Sequence, residues 1–178
     1  MSERDMNSEA FNKYLKQMRT SEKAFRAVNE YYLPKIKYHV ISLYGNSVDF
    51  EDVAHDAFTK MIRLENPPEV TNPTAWVYRI CDNVANDYLR EKKGIITLDE
   101  RMEAPSTSVK TVSAAESEAD YFTLIRKLGK EDSEIILLVT WEGYNLKEAA
   151  EILGLTHGAA RQRYSRALKK LKAILKGY

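Results

Sequence analysis

Residues Trp141 to Lys172, WEGYNLKEAAEILGLTHGAARQRYSRALKKLK, read as a helix-turn-helix. Leu146, Ala149, Ala150 and Leu153 recur at helical spacing and form one apolar stripe, which predicts a first helix over Leu146 to Leu153. Asn145 is placed to cap it. Gly154 stops that helix, because a residue without Cβ takes the left-handed conformation that a helix C-terminus favours, and Thr156 can accept from the free N–H groups opening the next one. From Gly158 onward, Ala160, Tyr164, Ala167, Leu168, Leu171 and Leu175 supply an inward face. Arg161, Arg163, Arg166, Lys169, Lys170, Lys172 and Lys176 supply charge with no acidic residue among them.

A basic helix of this kind can lie in the major groove, where Arg matches the two acceptors of guanine and Gln the acceptor and donor of adenine. The side chains this pattern points at DNA are Arg161, Gln162, Ser165 and Arg166. The blander alternative is a helix whose basic face is merely solvated. The turn and the helix before it weigh against that.

The chain has 178 residues, 44% of them hydrophobic, enough for one ordinary domain or two small ones. With only 7 Gly and 5 Pro and no strong strand pattern, the composition predicts an all-α protein. The single cysteine, Cys81, excludes an internal disulfide framework. No signal-peptide pattern and no apolar run of membrane-span length is present, so a cytoplasmic location is expected. Net charge is +1, but it is unevenly spread. From Ala119 on, eleven Lys and Arg face seven Asp and Glu, giving +4, whereas residues 94–118 hold two against five, giving −3. The positive charge therefore gathers where the helix-turn-helix lies.

Upstream, residues 5–19 read as an amphipathic helix carrying Phe11, Tyr14, Leu15 and Met18. A long helix follows from about Glu22 to Tyr44, with a kink or break expected at Pro34. In DFEDVAHDAFTKMIRL, residues 49–64, Asp49 caps a helix whose stripe is Phe50, Val53, Ala54, Ala57, Phe58, Met61 and Ile62. Its other face shows Glu51, Asp52, His55 and Asp56. With one histidine and no second ligand pair at metal-site spacing, this patch is better read as a solvated or partner-binding face than as a metal or catalytic site. Pro67, Pro68 and Pro73 make residues 65–73 a stiff loop. Helix resumes in TAWVYRICDNVANDYLREKK, residues 74–93, with Trp76, Val77, Ile80, Val84 and Tyr88 facing inward. Residues 94–118 lose this periodicity and read as a linker, after which a second unit begins near Ala119.

AWVYRICDNVANDYLREKK, residues 75–93, resembles region two of the extracytoplasmic-function (ECF) group of bacterial RNA polymerase sigma factors, through Trp76, Tyr78, Arg79, Ile80, Asn83, Asp87 and Arg90. FEDVAHDAF, residues 50–58, resembles the core-binding helix preceding it in that region. The helix-turn-helix is similar to region four. The resemblance implies a layout of region two in residues 1–93, a linker over 94–118 and region four in 119–178. It implies that Glu51, Asp52 and Asp56 dock on the clamp helices of core RNA polymerase. It further implies that the loop from Leu64 to Glu69, with Asn66, Arg79, Ile80 and Asn83, melts the minus-ten element and captures a flipped base, an extrusion that costs a few kcal/mol. Arg161, Gln162, Ser165 and Arg166 would read the minus-thirty-five element. Asn66, Pro67 and Pro68 depart from the aromatic residue and glycine usual in that loop, and Ala159, Ala160 and Gln162 depart from the usual recognition-helix residues. An anti-sigma partner is a further expectation from the resemblance.

Three rivals compete with a promoter-specificity subunit that needs no cofactor and is not itself an enzyme. A stand-alone helix-turn-helix regulator leaves the first ninety residues without a role and lacks an obvious dimerisation helix for paired half-sites. A sigma mimic that binds only an anti-sigma protein would not need Arg161 and Arg166. An enzyme is the weakest, because no nucleophile with a base, metal cluster or phosphate loop is visible.

Overall fold

The structure, a computed structural model, describes residues 6–96 and 115–176, and every regular element among them is helical. Four helices make the first module: α1 (Ser8–Gln17), α2 (Glu22–Tyr44), α3 (Phe50–Ile62) and α4 (Pro73–Ile96). Asn7, Ser21 and Asp49 cap the first three by accepting from free backbone N–H groups. Pro34 does not break α2, which runs on for 23 residues. The proline is exposed, so the carbonyl it orphans reaches water, and packing of α2 against α1, α3 and α4 outweighs its roughly 3 kcal/mol helix penalty. Pro73, assigned to the loop by its composition, is instead the first residue of α4. A missing N–H costs nothing there, and Asn72 caps the turn by accepting from Ala75 at 3.1 Å.

The core of this module is built on Phe11, Val28, Tyr32, Ile36, Val53, Met61, Val77 and Cys81, all at most 1% exposed. Phe11 meets the rings of Tyr32 and Trp76 edge-on at 5.6 and 5.9 Å. Buried Asn12 clamps the proline-rich loop: its Nδ2 donates to the Val70 carbonyl and its Oδ1 accepts from the Val70 N–H, both at 2.9 Å. Lys16 pairs with Glu69 beside it. Asn12→Ala is expected to lower stability by about 1 to 3 kcal/mol, since it strands two backbone groups away from water. Urea denaturation checks this, and an unshifted midpoint would show that the loop holds itself.

The second module comprises α5 (Ala115–Arg126), α6 (Lys130–Ile136), a π-helical turn (Leu137–Trp141), α7 (Leu146–Leu153) and α8 (His157–Lys176). Helix thus extends into both ends of the 94–118 segment, to Ile96 and from Ala115; residues 97–114 of the expected linker lie outside the described residues. Ile125, Ile135 and Ile136 form the core with Ala150, Ala160 and Ala167, whose small side chains let α7 and α8 approach it closely. Leu175 does not join this face, being 52% exposed; Ile174 packs there instead.

The two modules pack together. Thr74, Tyr78 and Asp82, four residues apart along α4, meet the second module in turn. Thr74 bonds Tyr144 at 3.1 Å, Tyr78 donates to Glu142, and Asp82 accepts from Lys130 at 3.2 Å. Asp82 also accepts from Tyr44 and bonds His39, the ring of which stacks on Tyr78 at 4.0 Å. Burial alone would raise the Asp82 carboxyl, but His39, Tyr44 and Lys130 hold it down at about 2. Tyr38 of α2 stacks on Phe122 and meets Trp141 edge-on. Gly45 takes φ +58°, and any Cβ there would strike the Arg126 guanidinium.

Candidate nucleic-acid interface

The helix-turn-helix follows its local chemistry closely. Asn145 and Glu148 form a reciprocal capping box at the start of α7, satisfying three backbone N–H groups between them. Gly154 adopts the left-handed conformation at φ +65°, ψ +32°, and Thr156 accepts from Ala159 at 3.2 Å as α8 opens. α7 buries Ala149 and Ala150 and α8 buries Ala160 and Ala167, which leaves the side of α8 that carries Arg161, Gln162 and Ser165 exposed.

Along α8, Gly158, Arg161, Gln162, Ser165, Arg166 and Lys169 line one shallow groove. The structure therefore brings together all four residues expected to read the minus-thirty-five element. They are not equivalent, however. The side chains of Arg161, Gln162 and Ser165 are exposed and have no partner among the described residues. Arg166 donates from Nη2 to Asp132 Oδ1 at 2.8 Å, while Lys170 donates to the other oxygen of the same carboxylate at 2.6 Å. Arg163 pairs with Glu131 at 3.1 Å. The basic face is thus partly neutralised from within, which spacing along α8 cannot reveal because the acids sit on α6, outside that helix.

In the first module Arg79 and Asn83 are exposed one turn apart on α4, with Ile80 half-buried between them. Arg79 lies in the groove where the loop from Pro68 to Asn72 meets α4 and α7. Leu64 is half-buried and Asn66 exposed at the opposite end of that loop, outside this groove. The five residues expected to read the minus-ten element therefore fall in two groups. On α3, Glu51 and Asp52 are exposed, whereas half-buried Asp56 accepts from Tyr88 at 2.7 Å. His55 and Glu51 border an apolar groove between α2 and α3 floored by Phe25, Phe50 and Phe58. No group of three acidic, histidine or cysteine side chains among the described residues could hold a metal ion. No helix among them is long and apolar enough to cross a membrane.

A first helix packed through Ala149 and Ala150, a left-handed turn and a basic second helix with an exposed side define a DNA-binding helix-turn-helix, here joined to a helical module with an acidic face. The model for Sigma-70 region 2 matches residues 29–95, and that for Sigma-70 region 4 matches residues 124–173. The chain belongs to the sigma-70 family, in its ECF group, and is an alternative sigma factor that directs promoter-specific transcription. It is 27% identical to RNA polymerase sigma factor SigZ of Bacillus subtilis, over 71% of this chain and 73% of that one. It is 24% identical to ECF RNA polymerase sigma factor EcfG of Rhodopseudomonas palustris, over 80% of each. Among solved structures its fold resembles CnrH in complex with the cytosolic domain of CnrY (TM-score 0.66, 22% identity, 97% of this chain and 99% of that one). It also resembles the sigma factor RpoE in complex with the anti-sigma factor NepR from Bartonella quintana (TM-score 0.60, 22% identity, 86% and 98%).

Proposed function

We propose that the two modules divide promoter recognition, residues 1–93 holding core polymerase and the minus-ten element and residues 119–178 reading the minus-thirty-five element, with 94–118 joining them. The observation that carries the second half is the row of Arg161, Gln162 and Ser165 on α8, exposed on a helix whose other face is buried. Glu51 and Asp52 supply the surface for a basic polymerase helix, and Arg79, Ile80 and Asn83, with Leu64 and Asn66 of the loop, act on the melted strand. The protein works in the cytoplasm as a specificity subunit, lending recognition to an enzyme and needing no cofactor itself. Because the RpoE relative was solved with the anti-sigma factor NepR, an anti-sigma protein is the regulator this reading expects.

Run-off transcription with core polymerase on a promoter library tests the whole reading. Arg161→Ala is expected to cost about 1 to 3 kcal/mol in minus-thirty-five recognition and to change base preference there. Lys169→Ala should weaken binding evenly and flatten the salt dependence by about one counterion. If Arg161→Ala leaves the selected sequences unchanged, α8 does not read bases through that side chain.

A further inference from the structure

Asp132 is an acid in the first turn of α6, yet it is only 3% exposed and no part of it faces the groove of α8. Its two carboxylate oxygens are each taken by a cation of α8, one by Arg166 and the other by Lys170. The two cations lie one turn apart and remain about half exposed, with side chains 56% and 50% accessible, whereas the carboxylate between them is 4% accessible. A buried acid thus reaches α8 from beneath and holds two of its positive side chains by their charged tips. Burial by itself would raise the Asp132 carboxyl, but the bonds from Arg166 and Lys170 hold it below the usual range, so it is ionised at neutral pH.

A guanidinium carries five N–H donors in a rigid fork. One Nη of Arg166 is committed to Asp132, and the remaining donors belong to a side chain that lines the groove beside Gln162 and Ser165. A long side chain tethered at one edge loses little further freedom on meeting a base, whereas an untethered one samples phosphates and wrong bases as readily as the right one. Lys170, compensated by the same carboxylate, is withdrawn from the pool of cations that attract any DNA regardless of sequence. Both effects act in the same direction: they lower indiscriminate attraction and sharpen base reading.

We propose that Asp132 is a positioning residue that sets minus-thirty-five selectivity without touching DNA, by fixing Arg166 as a base reader and neutralising Lys170. This rests on the reading of α8 as the minus-thirty-five helix. A residue that merely holds α6 to α8 would, when weakened, reduce specific and non-specific binding together. A residue that partitions charge makes them move in opposite directions.

The test uses the full chain assembled with core polymerase and a duplex library randomised over the minus-thirty-five element, with binding to a non-promoter duplex measured across a salt series. Asp132→Asn keeps an oxygen acceptor and the side-chain shape but removes the charge. It should bind the non-promoter duplex about tenfold more tightly, with a log–log salt slope steeper by about 1 to 2. It should also lose about tenfold of base preference, at the positions where Arg166→Ala loses it, and the double variant should lose no more there than Arg166→Ala alone. Unchanged base preference in Asp132→Asn, or a parallel fall in both kinds of binding, overturns the proposal and leaves the carboxylate a structural tie. Should Asp132→Asn unfold below the assay temperature, exposed Arg166→Lys takes its place, keeping the charge and losing the fork. Relaxed preference at the same positions is then expected, and full retention of preference overturns the proposal. A wild-type protein that selects no bases at all would instead overturn the minus-thirty-five reading of α8, which separates the two failures.

Discussion

Replacing Glu51 and Asp52 together by lysine is expected to abolish capture of core polymerase while leaving the fold intact. Both side chains are exposed in the first turn of α3, opposite the Val53, Ala57 and Phe58 face, so their exchange opens no cavity. Two acids at that end also favour the helix dipole, and their reversal costs a few tenths to about 1 kcal/mol each, too little to unfold the module. At an interface the scale is larger: stranding one partner of a buried, hydrogen-bonded charge pair costs about 2 to 5 kcal/mol, a roughly thirty- to several-thousand-fold loss of affinity. Asp56 is a poorer choice for this experiment than its place in the sequence suggests. Its carboxylate accepts from Tyr88, so altering it disturbs the packing of α3 on α4 as well as the acidic face. Co-purification of the double variant with core polymerase, alongside its circular dichroism, decides the matter; undiminished capture would move the docking surface elsewhere.

Tyr78→Phe is expected to loosen the contact between the two modules by about 2 to 3 kcal/mol. The Glu142 carboxylate is almost wholly buried, with its side chain 2% exposed, and one of its oxygens has no hydrogen-bond partner. The Tyr78 hydroxyl supplies the hydrogen bond of the other, and the nearest cation, Lys35, stands 3.8 Å away. Removing the hydroxyl therefore leaves a desolvated charge, the situation that costs most in a protein interior. Small-angle scattering should record a larger radius of gyration in the variant, whereas an unaltered profile would show that other contacts hold the modules together. The same carboxylate implies a pH dependence. Burial raises the Glu142 carboxyl above its usual value, against the opposing Tyr78 bond and Lys35. A raised group stabilises the packed form fully below its ordinary pKa and loses that contribution as pH rises through the raised value, so Glu142 favours packing in acid. Asp82, held down at about 2, works the other way: its contribution is full above the ordinary value near 3.8 and is lost as pH falls toward about 2. Packing should consequently be tightest in the mildly acidic range between these two effects.

Much of the molecule was legible in the order of its residues, wherever the governing interactions are local. The span of α7, its Asn145 cap and the Gly154 turn all follow from neighbours within four residues, and the structure reproduces them. The stripe of α3, with its Asp49 cap, did so for the same reason. Local signals failed where a distant contact outweighed them. Pro34 predicts a break or kink in α2, yet the helix runs through it, because the packing of α2 as a whole against its neighbours outweighs the local penalty. Leu175 fits the apolar period of α8 but lies beyond the reach of the small second core, which ends on Ile174.

The groove along α8 shows the same division. That Arg161, Gln162, Ser165 and Arg166 share one face follows from helical geometry alone, since such spacings place side chains on adjacent turns. That Arg166 is tied and Arg161 is not depends on Asp132, thirty-four residues away, and no periodicity within α8 encodes it. Likewise, nothing in the spacing of Asn12 and Val70, or of Tyr78 and Glu142, announces that they meet. Amphipathic stripes and caps are properties of a few consecutive residues, and so the spans of α3 and α7, the division into two helical modules and the basic outer side of α8 can be read from residue order. Pairing between buried polar groups depends on which surfaces meet in three dimensions, and so the tie on Arg166, the clamp on the loop and the contact between the two modules emerge from the folded chain alone.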